Sequence, residues 1–494
     1  MPIGEANARH LLRRTEFVDR SSRVAEIASL SVQDAVANVL DTVAATSPGT
    51  LALTGDSNWR QGQNMTIDWL DRMSGRGGAS PFRERMAFFW HGHLCSDLEK
   101  VNSARFLGEQ IDLYRRDGVE GTIGQLLKDM SLQVAMLRYL DGDRNVASSP
   151  NQNFARELME LFAMGVGNYS EADVEAATAA WTGHTVHWET GAYAFRTELH
   201  EQQAQTFLGT TINDPDADRF EYAGYQTIDV MLWLDADYPA GSRTDTSRYR
   251  DDGGRTPDGR DTNRVAAEFL SRKLWQEFGE ADSGGVPPSV EAAMVSALLD
   301  HGFAIRPWLE AMLTHRDFYP DANPAVAGGL VRQPVEYLVA LMVATGRDAS
   351  AIGQLWLMPL AGQVLLYPPN VSGWRPNGYW VNASAFEARN RLAQGVYWNL
   401  HETYWRHPWE QRDQNYLSLP GGRIRADEIT GDWPNWGDDG ISDAELVNRL
   451  LGYMDLRVSP ATRESLLRFC AGVEPHRRNN VLLLVLLAPE MHVN

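Results

Sequence analysis

Apolar positions along this chain recur mostly at helical spacing. Leu11, Leu12 and Phe17, then Val24, Ile27, Leu30, Val36 and Leu40, give the inner faces of two amphipathic helices over residues 4–45. Residues 46–80 are polar, interrupted by a helical piece around Met65 to Met73. The next helix, PFRERMAFFWHGHLCSD, opens on Pro81 at a favourable first-turn position and turns Phe82, Met86, Phe89 and Trp90 inward. His91 and His93 stand at its end. Two more helices are expected over 101–145, ending at the turn DGDRN. That turn resembles a calcium loop only superficially, because the run DGDRNVASSPNQNF lacks the glycine at the sixth position and the glutamate at the twelfth.

Residues 151–184, NQNFARELMELFAMGVGNYSEADVEAATAAWTGH, carry two well-signalled helices. Phe154, Leu158, Leu161 and Phe162 form one apolar stripe. Asn153, Arg156, Glu157 and Glu160 form a second, wholly polar stripe at i, i+3, i+4 and i+7. Gly165 and Gly167 stop the helix, and Ser170 with Asp173 reads as a capping box for the next. Beyond it, HTVHWETGAYAFRTELH alternates like a β-hairpin turning at Gly191 and ends on His200.

Residues 235–263 are Gly-, Asp-, Arg- and Ser-rich and read as an exposed loop insertion. Helices resume at Val265 and continue through Val290 to Leu299, Arg306 to Thr314 and Pro334 to Thr345. His401, Trp405, His407 and Trp409 precede a polar loop, and helical runs from Asp443 and Arg463 make residues 400–494 a closing segment. The fold class is therefore mostly α: residues 1–494 as one large multi-helix body with a small β-hairpin and long irregular loops.

Composition narrows the functional classes. The 494 residues are 43% hydrophobic and include 16 Trp, enough to bury a sizeable core. A net charge of -20 argues against nucleic acid and anionic membrane surfaces, and suits a neutral or cationic ligand. Cys95 and Cys470 are the only cysteines, so neither a disulfide framework nor a multi-thiolate zinc site is expected, and without CxxCH no covalent haem. The first 30 residues carry charges throughout, and the longest apolar run, VLLLVLLA, is too short to cross a bilayer. The expected address is cytoplasmic, with no integral membrane segment.

The string NQNFARELMELFAMGVGNYSEADVEAATAAWTG closely resembles the signature of the bacterial family DUF1800, a domain of unknown function. HEQQAQTFLG, FLSRKLWQEF and GQVLLYPPNVSGWRPNGYWVN follow in the family's order, and the resemblance runs from Ala8 to about Leu392. His200 matches a histidine usual in the family, whereas Glu201 and Gln205 stand where the family commonly has Asp and Lys. The resemblance also implies a protein partner encoded nearby and exported through a twin-arginine signal, hence export beside that partner as the alternative address.

Two functional expectations follow. In the first, a hydrolase-like enzyme combines Glu157 and Glu160 as acid and base with Asn153 and Arg156, while His91, His93 and His200 hold a divalent metal ion that activates water. Asn370, Trp374, Asn377, Trp380 and Asn382 would form the substrate platform, flat indoles beside amides suiting a carbohydrate-like ligand. A non-covalent haem on one of the histidines is a lesser variant. In the second, the stripe is an internally satisfied network in a non-catalytic scaffold that docks the exported partner. Each motif also has a plainer structural reading: a solvated helix face, histidines that cap a helix or bond within the core, and tryptophans that plug it.

Overall fold

Small hydroxyl side chains set most of the early helix starts. Ser31, Ser57, Ser80, Ser103 and Thr122 each accept a hydrogen bond from the backbone N–H three residues on, filling a need that the first helical turn leaves open. They open the helices Val32–Ala44, Asn58–Met73, Pro81–His93, Ala104–Asp117 and Ile123–Leu132. The computed structural model describes the chain except residues 188–189, 216–218, 235–252, 281–284, 324–325, 327–329, 353–354, 376, 405–440, 474–479 and 494, and the side chains of 398–404.

The described residues are mostly α-helical, as the apolar spacing predicts, with two small antiparallel sheets. Residues 4–45 hold three helices, Glu5–Thr15, Ser21–Ile27 and Val32–Ala44, where two are expected. Phe17 at φ 65 separates the first pair, and the Ser31 cap starts a third helix inside the second apolar run. The capping box of Ser170 and Asp173 opens Glu171–Ala180 as read from their spacing. The expected hairpin pairs His184–Val186 with Tyr193–Phe195, Thr185 opposite Ala194. A second hairpin, Gln205–Phe207 with Thr210–Ile212, was not anticipated; Leu208 and Gly209, both at positive φ, make its turn.

Of the stretch read as an exposed loop, residues 235–252 lie outside the described residues. The rest is anchored: Gly253 and Gly254 are buried, Gly254 N–H donates to Val230 O, and the Trp233 indole N–H donates to Gly254 O. At the C-terminus Asp443–Tyr453, Pro460–Ala471 and Val481–Leu486 pack together, the last against Ala383–Tyr404. Trp405, His407 and Trp409 lie outside the described residues. No helix among the described residues is long and apolar enough to cross a membrane.

Buried apolar side chains from Ile3 to Met491 form one contiguous cluster. Ion pairs inside it fix the helices that matter for the site. Arg115 and Glu84, both fully buried and 2.7 Å apart, tie Ala104–Asp117 to Pro81–His93. Arg85 reaches from the same helix to Glu277, on Thr262–Phe278, and to Glu336, on Pro334–Thr345, at 2.8 Å each.

Candidate functional site

The polar stripe of residues 153–160 is met by partners within the chain. Asn153–Glu157 is α-helical, but Leu158–Ala163 widens into a π-helical turn, with Met164 N–H bonded to Met159 O. The wider turn begins between Glu157 and Glu160, whose charges still act on each other. Asn153 is exposed, and Arg156 spends its guanidinium on Glu171 at 2.8 and 2.9 Å rather than on Glu157 or Glu160. Glu160 accepts the Tyr169 hydroxyl at 2.9 Å. Glu157 is half-buried, and burial together with the charge of Glu160 pushes its carboxyl above the ordinary value.

The three histidines are likewise held by separate partners. Residues two apart on a helix point roughly 200° away from each other, so His91 and His93 diverge. His91 is fully buried between Trp69 and Trp374, and its Nε2 accepts the Leu366 N–H at 3.2 Å. His93 stacks on Phe89 and donates Nε2–H to Phe162 O at 2.9 Å, which ties the helix end to the π turn. Burial lowers both rings to about 3, with the charge of Lys273 adding to the effect on His93, so both are neutral at pH 7. His200 sits elsewhere, Nδ1 at 2.7 Å from Thr182 O and Nε2 at 2.9 Å from Asn213 Oδ1. These three rings therefore share no open face toward a metal. Among the described residues, no three His, Cys, Asp or Glu side chains are grouped to hold one.

The Pro- and Gly-rich loop is shaped mostly by its own amides. Asn370 Oδ1 accepts the Ser372 N–H, and Asn370 O accepts the Gly373 N–H. Asn377 is buried at φ 46 and accepts the Val331 N–H at 2.6 Å, while Asn382 caps the helix Ala383–Tyr404 by accepting the Ala385 N–H. Trp380 is buried as a core plug. Trp374 is half-open, packed on His91 and Phe88. Loop and helix meet backbone to backbone, because Gly373, at φ 72, lies against Gly92 of the HGH motif. The glycines of both motifs thus permit this close packing.

That contact closes one side of a cleft of about 90 Å³. In a measure where one water needs roughly 10–15 Å³, it admits a group of several heavy atoms. Phe88, Phe89 and Trp374 make its apolar wall, and His93, Lys273, Glu277 and Gln333 its polar one. One oxygen of the Glu277 carboxylate is shared: Oε1 accepts from Arg85 Nη1 and from Gln333 Nε2, each at 2.8 Å. Burial pushes the Glu277 carboxyl up, and Arg85 pulls against it. Lys273, one turn earlier on the same helix, has no hydrogen bond or ion pair among the described residues; its ammonium lies 5.5 Å from the Phe269 ring centre. Burial holds it below its ordinary value of 10.5. A larger cavity of about 560 Å³ between Trp59, Leu338 and Trp356 is apolar and has no charged side chain on its wall.

His93, expected as a metal ligand, and Trp374, expected in a substrate platform, both line this cleft, whereas sequence reasoning gave no role to Lys273, Glu277, Gln333 or Ser372. A compositional signal was there to find Lys273. Of 45 basic residues only Lys100, Lys128 and Lys273 are lysines. Lys100 pairs with Asp141 at 2.9 Å and Lys128 with Asp229 at 2.6 Å, which leaves Lys273 as the lysine without a carboxylate among the described residues.

No curated protein and no solved structure matches the chain. A family model described as a protein of unknown function, DUF1800, matches residues 10–244 and 250–493, and the chain belongs to that family.

Proposed function

We propose that the cleft beside Lys273 is a small-molecule site, taking a neutral ligand whose oxygen meets the Lys273 amine and whose apolar face lies on Trp374. The observation that carries this reading is a half-buried lysine without a carboxylate among the described residues, on the wall of a cleft whose other acid has its Oε1 bonded to Arg85 and Gln333. Burying an amine costs stability unless something compensates it, and a ligand oxygen supplies the missing acceptor. The acidic surface favours a neutral ligand over an anion. This reading moves the chemistry away from Glu157 and Glu160, neither of which lines the cleft.

Saturation-transfer NMR with ethylene glycol and acetamide tests it. The wild type transfers magnetisation to at least one of them, and Lys273→Met abolishes the transfer. Equal transfer with both proteins, or none with either, overturns the reading.

The scaffold reading, with docking of an exported partner, draws on a different observation. Arg156 and Glu160 are satisfied within the chain, by Glu171 and Tyr169, as a structural network requires. The two readings concern different faces, and Lys273→Met leaves partner capture intact if both hold.

A further inference from the structure

We propose that Lys273 is a nucleophile that condenses with a small aldehyde in the cleft to form a covalent imine; this rests on the reading of the cleft as a small-molecule site. Three observations meet at this residue. Arginine supplies nearly all positive charge in the chain, and both other lysines are used in ion pairs that an arginine could also make. A guanidinium cannot serve as a nucleophile, so a lysine on a cleft wall with no ion pair among the described residues is chemically distinct from the rest. Glu277, the acid one turn away that would otherwise keep Lys273 charged, has its Oε1 bonded to Arg85 and Gln333. Finally, Phe88, Phe89 and Trp374 make one wall apolar, which disfavours the ammonium form and limits the water that reverses condensation. The volume of about 90 Å³ restricts the partner to an aldehyde of a few heavy atoms.

The step balances without an outside oxidant or reductant. The amine lone pair adds to the carbonyl carbon, forming the C–N bond, while one proton passes from nitrogen to the carbonyl oxygen. Loss of that hydroxyl with the remaining N–H proton releases water and leaves C=N. One amine and one aldehyde give one imine and one water.

The full chain is incubated with glycolaldehyde and sodium cyanoborohydride near neutral pH, digested, and each lysine peptide quantified by mass spectrometry. Lys273 is expected to be alkylated several-fold faster than the exposed, ion-paired Lys100, because an amine without a carboxylate among the described residues gives up its proton more readily. Its rate should saturate with aldehyde concentration, whereas that of Lys100 rises linearly. Lys273→Arg, which keeps the cation, removes the fast adduct. Labelling of Lys273 no faster than Lys100, or a linear rate at Lys273, overturns the proposal. Binding of acetamide without trapping sinks the imine alone and leaves the cleft reading standing.

Discussion

Gly373 and Gly92 touch so closely that a Cβ built on Gly373 would lie 1.9 Å from the Gly92 carbonyl oxygen. The contact joins the SGW turn to the HGH helix end and seats Trp374 over the cleft. Gly373→Ala meets both that clash and a φ of 72, and is expected to cost roughly 2–4 kcal/mol in urea unfolding. Gly92→Ala, whose Cβ would stand 3.8 Å from the Trp374 ring, is expected to be nearly neutral apart from propensity. Equal losses in the two variants would show that the glycine contact does not govern the loop.

The buried histidines make a pH prediction with a definite sign. His91, His93 and His184 are each lowered by burial from 6.5 to about 3. Between those values the unfolded chain takes up protons that the folded chain refuses. Stability is therefore complete above pH 6.5 and falls as pH drops toward 3, by up to about 1.4 kcal/mol per pH unit for each ring. Urea midpoints measured from pH 7 to 4.5 should fall more steeply for the wild type than for His93→Phe. Identical slopes contradict a neutral, buried His93.

Glu336 is nearly fully buried, holds Arg85 at 2.8 Å and caps its own helix by accepting the Gln333 N–H at 2.7 Å. Glu336→Ala leaves Arg85 half-compensated in the core and is expected to cost roughly 3–5 kcal/mol. Glu277→Gln keeps a hydrogen-bond acceptor for Arg85 and Gln333, so its loss should be clearly smaller. Thermal melts of the two variants side by side decide the order.

Lys273→Met gives the opposite sign. The folded chain holds this amine below its ordinary value, so the charged form opposes folding at neutral pH, and stability gains as pH rises through that range. Removing it should leave the fold as stable or stabilise it by roughly 1 kcal/mol, as substitutions in strained functional sites often do. A clear destabilisation in calorimetry would mean that Lys273 is structural.

Local chemistry was legible in the sequence wherever the partner is near in the chain. The Ser170 and Asp173 box, the stop at Gly165 and Gly167, and the Gly191 hairpin all appear as read. The π turn after Glu157 was not, because spacing assumes an unbroken α-helix and no residue in LMELFA announces the wider turn. Nor was the sharing of Glu277 between Arg85 and Gln333, since those partners lie 192 and 56 residues away. The partners of the HxH pair were hidden for the same reason: Phe162 O and Leu366 N are backbone groups that no side-chain motif records.

The central claim is that Lys273 faces the cleft with no carboxylate partner among the described residues, and its titration tests that most directly. Three lysines are few enough for each to be resolved after reductive methylation with labelled formaldehyde and carbon-detected NMR. The signal lost in Lys273→Arg should titrate below 10.5, as burial without a carboxylate partner requires. A titration at or above that value would mean that an acid partner holds the ammonium in place, and the cleft would lose the group on which its chemistry depends.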